Sequence, residues 1–182
     1  MEKQLAFSWS ILNSWVNYSQ EDAINMFLKK PIKRDPQVQA KLDKGSEIHE
    51  KIEKQGLVFV PDLATGGKRE VYSRVQMTDW LWFSYKFDYY VDKNMVDYKS
   101  GSFKDGMELQ LFAYALCGEM DGFETDRGHL VFVKETKKDG IKPVDIKSYD
   151  IGGAQLNAAW DFIYTNAKEM KNYLLLHKLW SV

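Results

Sequence analysis

Three residues with chemical potential, Asp88, Asp97 and Lys99, lie in one short stretch from Phe87 to Gly101. Alternating Tyr and Val residues on both sides of Lys93-Asn94 predict a β-hairpin there. With Lys93-Asn94 as a two-residue turn, Asp88 faces Lys99 and Tyr90 faces Asp97. Side chains alternate along a strand, so Asp88, Asp97 and Lys99 then share one face. A register one residue different would send Asp88 to the other face. Two neighbouring carboxylates repel one another and resist burial. A hard divalent cation relieves both problems, and Mg²⁺ typically takes one or two carboxylates together with water and phosphate oxygens. A lysine beside such a cation can orient an attacking water and offset charge that builds on phosphorus. The same residues also suit a solvated strand with ion pairs across the hairpin.

His49 and the pair Gln110 and Tyr114 extend the set. Asp35-Pro36 reads as N-cap and first turn of a helix that runs to about Gln55, with Gly56 as its stop. Its inward row is Val38, Leu42, Gly45, His49 and Ile52, widened by Ile48. A neutral imidazole on that row is either a core hydrogen-bonding group or a metal ligand. Gly45, one turn earlier, lets another segment approach. Gln110 and Tyr114 are four residues apart on a helix predicted from Gly106 to Gly118, so amide and phenol point the same way. Together they suit a phosphate or a nucleobase, or simply core hydrogen bonding.

The elements that must hold these groups follow from periodicity. Ser8 or Ser10 caps a short helix carrying Leu12, Trp15 and Val16. Strands are predicted at Arg69–Met77, Trp80–Val91 and Met95–Lys99, then at His129–Glu135 and Pro143–Tyr149. Thr65-Gly66-Gly67-Lys68-Arg69 lacks the first glycine and the Ser/Thr of a P-loop and reads as a hairpin turn. After Gly152-Gly153 a long helix presents Leu156, Trp160, Ile163, Ala167, Met170 and Leu174. Helices, an antiparallel meander, then helix, strand, strand and helix describe an α/β or α+β sandwich, with a central mixed β-sheet flanked by helices; the α/β form is the leading expectation.

Composition sets the frame. At 182 residues and 45% hydrophobic, with 6 Trp, 10 Tyr and 10 Phe, residues 1–182 are expected to form one domain with a real core. That composition excludes a disordered or collagen-like chain. One cysteine, Cys117, excludes a disulfide scaffold and a cysteine-held cluster. Met1 to Phe7 carries no leader-like apolar region, and no run reaches about 18 uncharged apolar residues. A cytoplasmic setting, with no membrane partner, is the expectation. With 25 basic and 26 acidic residues the net charge is −1, so no bulk positive charge points to nucleic acid.

Read in order, the pieces resemble the RecB-type branch of the PD-(D/E)XK nuclease superfamily. Ser8-Trp9-Ser10 matches its helix start, Gly45 to His49 its G-x-x-x-H, and Asp88 its lone Asp. Asp97-Tyr98-Lys99-Ser100-Gly101 matches the D-x-K strand, and Gln110 to Tyr114 the Q-x-x-x-Y helix. The resemblance covers about residues 8 to 114. Where relatives carry a glycine before the lone Asp, this chain has Ser84-Tyr85-Lys86-Phe87, and Asp92 is the alternative to Asp88. The four cysteines of the iron–sulfur relatives are missing, so no such cluster is expected.

The resemblance implies a restriction-endonuclease-like fold and a DNA nuclease dependent on Mg²⁺ or Mn²⁺. It implies that His49, Asp88, Asp97 and the backbone carbonyl of Tyr98 hold the metal. Lys99 would be the catalytic lysine, and Gln110 and Tyr114 would position the DNA backbone or the catalytic strand. Phosphate contacts are expected from Lys29, Lys30, Lys33 and Arg34, a basic run free of acids, with Lys134, Lys137, Lys138 and Lys142 as a weaker cluster. Trp9, Trp15, Tyr18 and Trp82 are candidates for stacking on unpaired bases. An exonuclease acting in DNA processing or recombination, alongside recombination or replication proteins in a prokaryotic or phage-infected cell, is the leading expectation. A structure-selective endonuclease such as a resolvase, and a non-catalytic nucleic-acid-binding module of the same fold, are the alternatives.

Overall fold

The computed structural model describes residues 4–180. Residues 1–3, on which part of the reading of Met1 to Phe7 falls, lie outside the described residues.

The elements, in chain order, are β1 Leu5–Ser8, α1 Trp9–Asn17, α2 Gln20–Phe27, α3 Pro36–Gln55, β2 Lys68–Gln76, β3 Leu81–Val91 and β4 Asn94–Lys99, then α4 Met107–Met120, β5 Arg127–Thr136, β6 Gly140–Asp150 and α5 Gly153–Leu176. The strands form one mixed sheet in the order β1-β3-β4-β5-β6, with β2 on the other edge of β3. β1 runs parallel to β3 and β4 parallel to β5, while β2/β3, β3/β4 and β5/β6 are antiparallel. Helix α4 makes the crossover between the parallel strands β4 and β5, as parallel neighbours require.

Local chemistry explains the ends. Asp35 accepts a hydrogen bond from Gln37 N (2.7 Å), Pro36 opens α3, and Gly56 closes it in the left-handed region (φ 64°). Ser19 caps α2 by accepting from Asp22 N (3.1 Å). Helix α2 and the short strand β1 escaped the sequence reading. β1 is four residues long and α2 eight, too short for a clear period.

Two cores sandwich the sheet. On one side Phe83, Tyr85, Phe87, Leu130 and Phe132 pack with Leu12 and Trp15 of α1, Leu111 and Ala115 of α4, and Ile163, Ala167 and Met170 of α5. On the other, Tyr89, Val91, Val96, Tyr98, Val131 and Val133 pack with Ile48 and Ile52 of α3. Cys117 lies fully buried in the first core.

Several expectations need correction. The β3–β4 turn falls at Asp92-Lys93, both with positive φ (46° and 60°), and Asn94 already pairs with Val91. With positive φ at both positions this is the type I′ two-residue turn, a left-handed backbone that Asp tolerates better than most residues. The register therefore pairs Tyr89 with Val96 and Tyr90 with Met95. Asp92 is exposed at this turn, away from the strand edge that Asp88 occupies. In α3 only Ile48 and Ile52 are buried; Val38 and Leu42 are about half exposed, because the first turns of the helix extend past the sheet. Val16 of α1 is also exposed.

Gly66-Gly67 does not form a hairpin turn, since the element before β2 is helix α3 and not a strand. Gly67 instead lies flat against β3: its N–H donates to the Tyr89 hydroxyl (2.9 Å), and a side chain there would run into the Tyr90 carbonyl oxygen and the Tyr89 ring. Backbone cannot yield as a flexible side chain can. Gly67→Ala is therefore expected to cost about 1–3 kcal/mol of stability, read as a lowered urea midpoint.

Candidate active site

The site begins where the sheet divides. β2 lines one edge of β3 along almost its whole length. On the other edge β1 pairs with residues 81–84 and β4 with residues 89–91, which leaves a fork between them. The pleat changes phase at this point. Phe83, Tyr85 and Phe87 face the core beneath α4, whereas Tyr89 and Val91 turn to the α3 side. Glu70, which falls opposite Asp88 between the pairs Arg69–Tyr89 and Val71–Phe87, has φ 49°, the backbone irregularity on the neighbouring strand.

Asp88 sits at the phase change, so it does not share one simple face with Asp97 and Lys99. Its Oδ2 accepts a hydrogen bond from Tyr98 N (2.7 Å), taking the place of the next ladder bond, and its Oδ1 lies 3.3 Å from His49 Nδ1. A strand residue directs N–H and C=O to the same edge, so the Tyr98 carbonyl also faces the fork. Asp97 and Lys99 project towards α4. Lys99 Nζ lies 2.6 Å from Asp97 Oδ2 and donates to Gln110 Oε1 (2.8 Å), while Gln110 Nε2 donates to the Tyr114 hydroxyl (2.8 Å). The structure thus brings two hydrogen-bonded sets together at the fork, His49, Asp88 and Tyr98 in one and Asp97, Lys99, Gln110 and Tyr114 in the other, close enough for the two carboxylates to repel. Gly45 gives room to Ser100, whose Oγ would stand 2.8 Å from a Cβ at that position.

Burial makes this group electrostatically tense. Asp88 and Asp97 are 8% and 5% exposed. Burial pushes the Asp97 carboxyl above the ordinary carboxylate range; Lys99 opposes this, and Asp88 adds to it by repulsion. Burial pulls the His49 imidazole down, but its hydrogen bond and attraction to Asp88, helped by Asp97, outweigh that and leave it raised. Burial also pushes the Tyr114 hydroxyl up, and nearby Asp97 reinforces it.

Would a metal fit? Asp97 Oδ2 is enclosed and receives no aligned hydrogen bond, despite its closeness to Lys99. Two buried carboxylates beside an imidazole, with one carboxylate oxygen held only by the Lys99 ammonium, are a donor set suited to a divalent cation. Among the described residues no three acidic, His or Cys side chains are already gathered about one point. Instead His49 pairs with Asp88 and Asp97 with Lys99, partners that a cation would replace.

The other candidates lie apart from this group. Lys29, Lys30, Lys33 and Arg34 are exposed on the connection between α2 and α3. Lys134, Lys137, Lys138 and Lys142 lie along the β5–β6 hairpin, where Lys142 pairs with Asp139 (3.2 Å). Trp9 and Trp15 are buried, contrary to a stacking role on the surface; Trp82 is half-buried and Tyr18 is 70% exposed.

The sequence reading missed Glu70 and Lys86, which form an ion pair and line a cleft of about 390 Å³ beside His49 with Glu53. Lys86 precedes Asp88 by two residues, a spacing that could have marked it; Glu70 enters only through the strand register. A second cleft of about 260 Å³ reaches Gln110.

The raised His49 is directly measurable. In metal-free protein its NMR midpoint is expected above its ordinary 6.5 and to fall in Asp88→Asn, which removes the carboxylate charge. The stabilisation from this contact is fully present below 6.5 and is lost as pH rises through the folded midpoint.

No protein-family model and no curated protein matches this sequence. Solved structures do share its fold. The alkaline exonuclease LHK-Exo from Laribacter hongkongensis superposes with a TM-score of 0.58 at 8% identity, over 95% of this chain and 91% of that one. LHK-Exo in complex with dAMP gives 0.61 at 12% identity, over 94% and 90%. A phage-related exonuclease from Haemophilus somnus 129PT gives 0.51 at 14% identity, over 88% and 81%. Among the described residues, no helix is long and apolar enough to cross a membrane. The chain therefore has the restriction-endonuclease-like fold, a central mixed sheet flanked by helices, that these exonucleases have.

Proposed function

We propose that residues 1–182 form a single PD-(D/E)XK nuclease domain of the RecB type that hydrolyses phosphodiester bonds in DNA as an exonuclease dependent on Mg²⁺ or Mn²⁺. The observation that carries this reading is the pair of neighbouring sets at the fork, Asp88 with His49 and Asp97 with a lysine that an amide and a phenol hold in place. His49, Asp88, Asp97 and the Tyr98 carbonyl would hold the cation. Bound there, it would supply Lewis-acid polarisation of the scissile phosphate.

The chain's own residues do the rest. Lys99 orients the attacking water, and its ammonium offsets negative charge on the pentavalent phosphorus. Gln110 accepts from Lys99 and is itself fixed by Tyr114, so the ammonium is aimed before substrate arrives. Lys29, Lys30, Lys33 and Arg34 contact phosphates farther along the strand. The partner is DNA, and the setting is DNA processing or recombination in the cytoplasm of a prokaryotic or phage-infected cell. No iron–sulfur cluster enters this reading, since the one cysteine is buried packing. The exonucleases of the same fold favour end-directed cleavage over a structure-selective endonuclease.

Labelled linear DNA should be degraded with Mg²⁺ or Mn²⁺ and left intact with EDTA, while a covalently closed circle survives. Lys99→Ala and Asp97→Ala should lower kcat by about 100-fold or more while keeping the native circular dichroism spectrum. Folded variants that cut as fast as the parent would overturn the assignment. A Mn²⁺-soaked crystal should show the ion between His49, Asp88 and Asp97.

The basic run is tested separately. Lys29→Ala with Lys30→Ala should reduce the slope of log K against log salt for DNA binding by about 2, since each phosphate contact contributes roughly 0.9.

A further inference from the structure

The face of the sheet turned away from α4 is only partly covered. In β2 and β3 the side chains of Val75, Phe83, Tyr85 and Phe87 point into the core beneath α4. Their alternates therefore point the other way. Strand register sets these in three rows: Lys86 beside Tyr72, Ser84 beside Arg74 and Trp82 beside Gln76. Neither Tyr72 nor Trp82 belongs to the core that α3 covers on that face. Tyr72 is 67% exposed; Arg74, Gln76 and Lys86 are exposed too, and Ser84 and Trp82 are half-buried. Arg74 makes no ion pair among the described residues. No carboxylate stands in the three rows, and the nearest along β2 is Glu70, which pairs with Lys86. Lys86 and Glu70 also line the cleft beside His49, so this face begins where the fork opens.

We propose that this face is a track for an unpaired DNA strand, running from the fork over the outer side of β2 and β3. The proposal rests on the nuclease reading, whose site it extends. Arg74 and Lys86 complement a polyanion, and Glu70 is the one acid that opposes them on β2. Tyr72 neighbours both cations and offers an exposed ring. A base stacks on such a ring only after it has left its own helix, because a duplex keeps its base faces inside the stack. Tyr72 and Arg74 are two residues apart on one strand and so about 7 Å apart, a span that one nucleotide of an extended strand covers. Ring and guanidinium thus meet base and phosphate in turn. Lys86, at the inner end, is held by Glu70 until a phosphate takes the place of that carboxylate. Glu70 therefore weakens strand binding although it borders the site.

The test separates binding from cleavage. Binding is measured in EDTA, where no strand is cut, from the fluorescence anisotropy of labelled oligothymidylate and of a blunt duplex of equal length. Tyr72→Ala should weaken single-strand binding about tenfold, and Tyr72→Phe, which keeps the ring, should bind as the parent does. The blunt duplex should bind Tyr72→Ala and the parent equally. Arg74→Ala should lower the slope of log K against log salt for the single strand by about 0.7, the share of one phosphate contact. Glu70→Gln should tighten single-strand binding about threefold, since it frees Lys86. Unchanged single-strand affinity in Tyr72→Ala, an equal loss on the duplex, or a failure of Glu70→Gln to tighten binding would each overturn the track. The expected binding pattern without metal-dependent cleavage would uphold the track and overturn the nuclease reading. Metal-dependent cleavage of linear DNA with unchanged affinities in these variants would do the reverse.

Discussion

The hydrogen bond from Tyr98 N to Asp88 Oδ2 is the interaction on which the site depends. A backbone donor inside a sheet must find an acceptor, and the neighbouring strand normally supplies a carbonyl. Here a side chain supplies it. β3 and β4 can therefore separate without leaving a buried N–H unpaired, and the gap between them is held at a fixed width. The carboxylate that does this cannot also remain solvated, so it is buried and lies one hydrogen bond away from His49. Strand pairing and site electrostatics are thus set by the same group.

The two faces of the sheet contribute different parts. From the α3 side come His49 and the cleft with Glu70 and Lys86. From the α4 side come Lys99, Gln110, Tyr114 and the cleft along α1. The fork is where groups from both faces meet, because the edge of β3 is bare there and the pleat changes phase. Arg69 secures the α3 side from below: its guanidinium donates to the carbonyls of Gly56 (2.9 Å) and Leu57 (3.2 Å) and covers the Tyr89 ring. That fastens the C-terminal end of α3, two turns from His49, to β2. The near-zero net charge also takes on a local meaning. The acids at the fork are confined and partly offset by His49 and Lys99, while the basic run before α3 remains open to solvent.

Much of the arrangement was legible in the chain because local rules govern it. Asp35-Pro36 and Gly56 bound α3 through capping and a left-handed stop, and alternation located β2, β3 and β4. The four-residue spacing of Gln110 and Tyr114 placed amide and phenol together. Less was legible where packing decides. Val38 and Leu42 continue the helical row of Ile48 and Ile52, yet they stay about half exposed, since periodicity describes a face and not the extent of its partner. Gly67 looked like a turn and is a close contact with β3, visible only once strands are stacked.

The site divides in the same way. Residue order alone determined which side chains are candidates and that Asp97 and Lys99 share a face, because strand alternation is a property of the backbone. Tertiary structure decided the place of Asp88, through a register shifted by the Asp92-Lys93 turn and a change of pleat phase that depends on the neighbouring strand. It also decided that His49 reaches Asp88, that Glu70 and Lys86 stand nearby, and that α1 forms a wall beside Gln110. Such contacts join residues tens of positions apart. Short-range propensity carries no information about them, and only the packing of helices on both faces of the sheet brings them together.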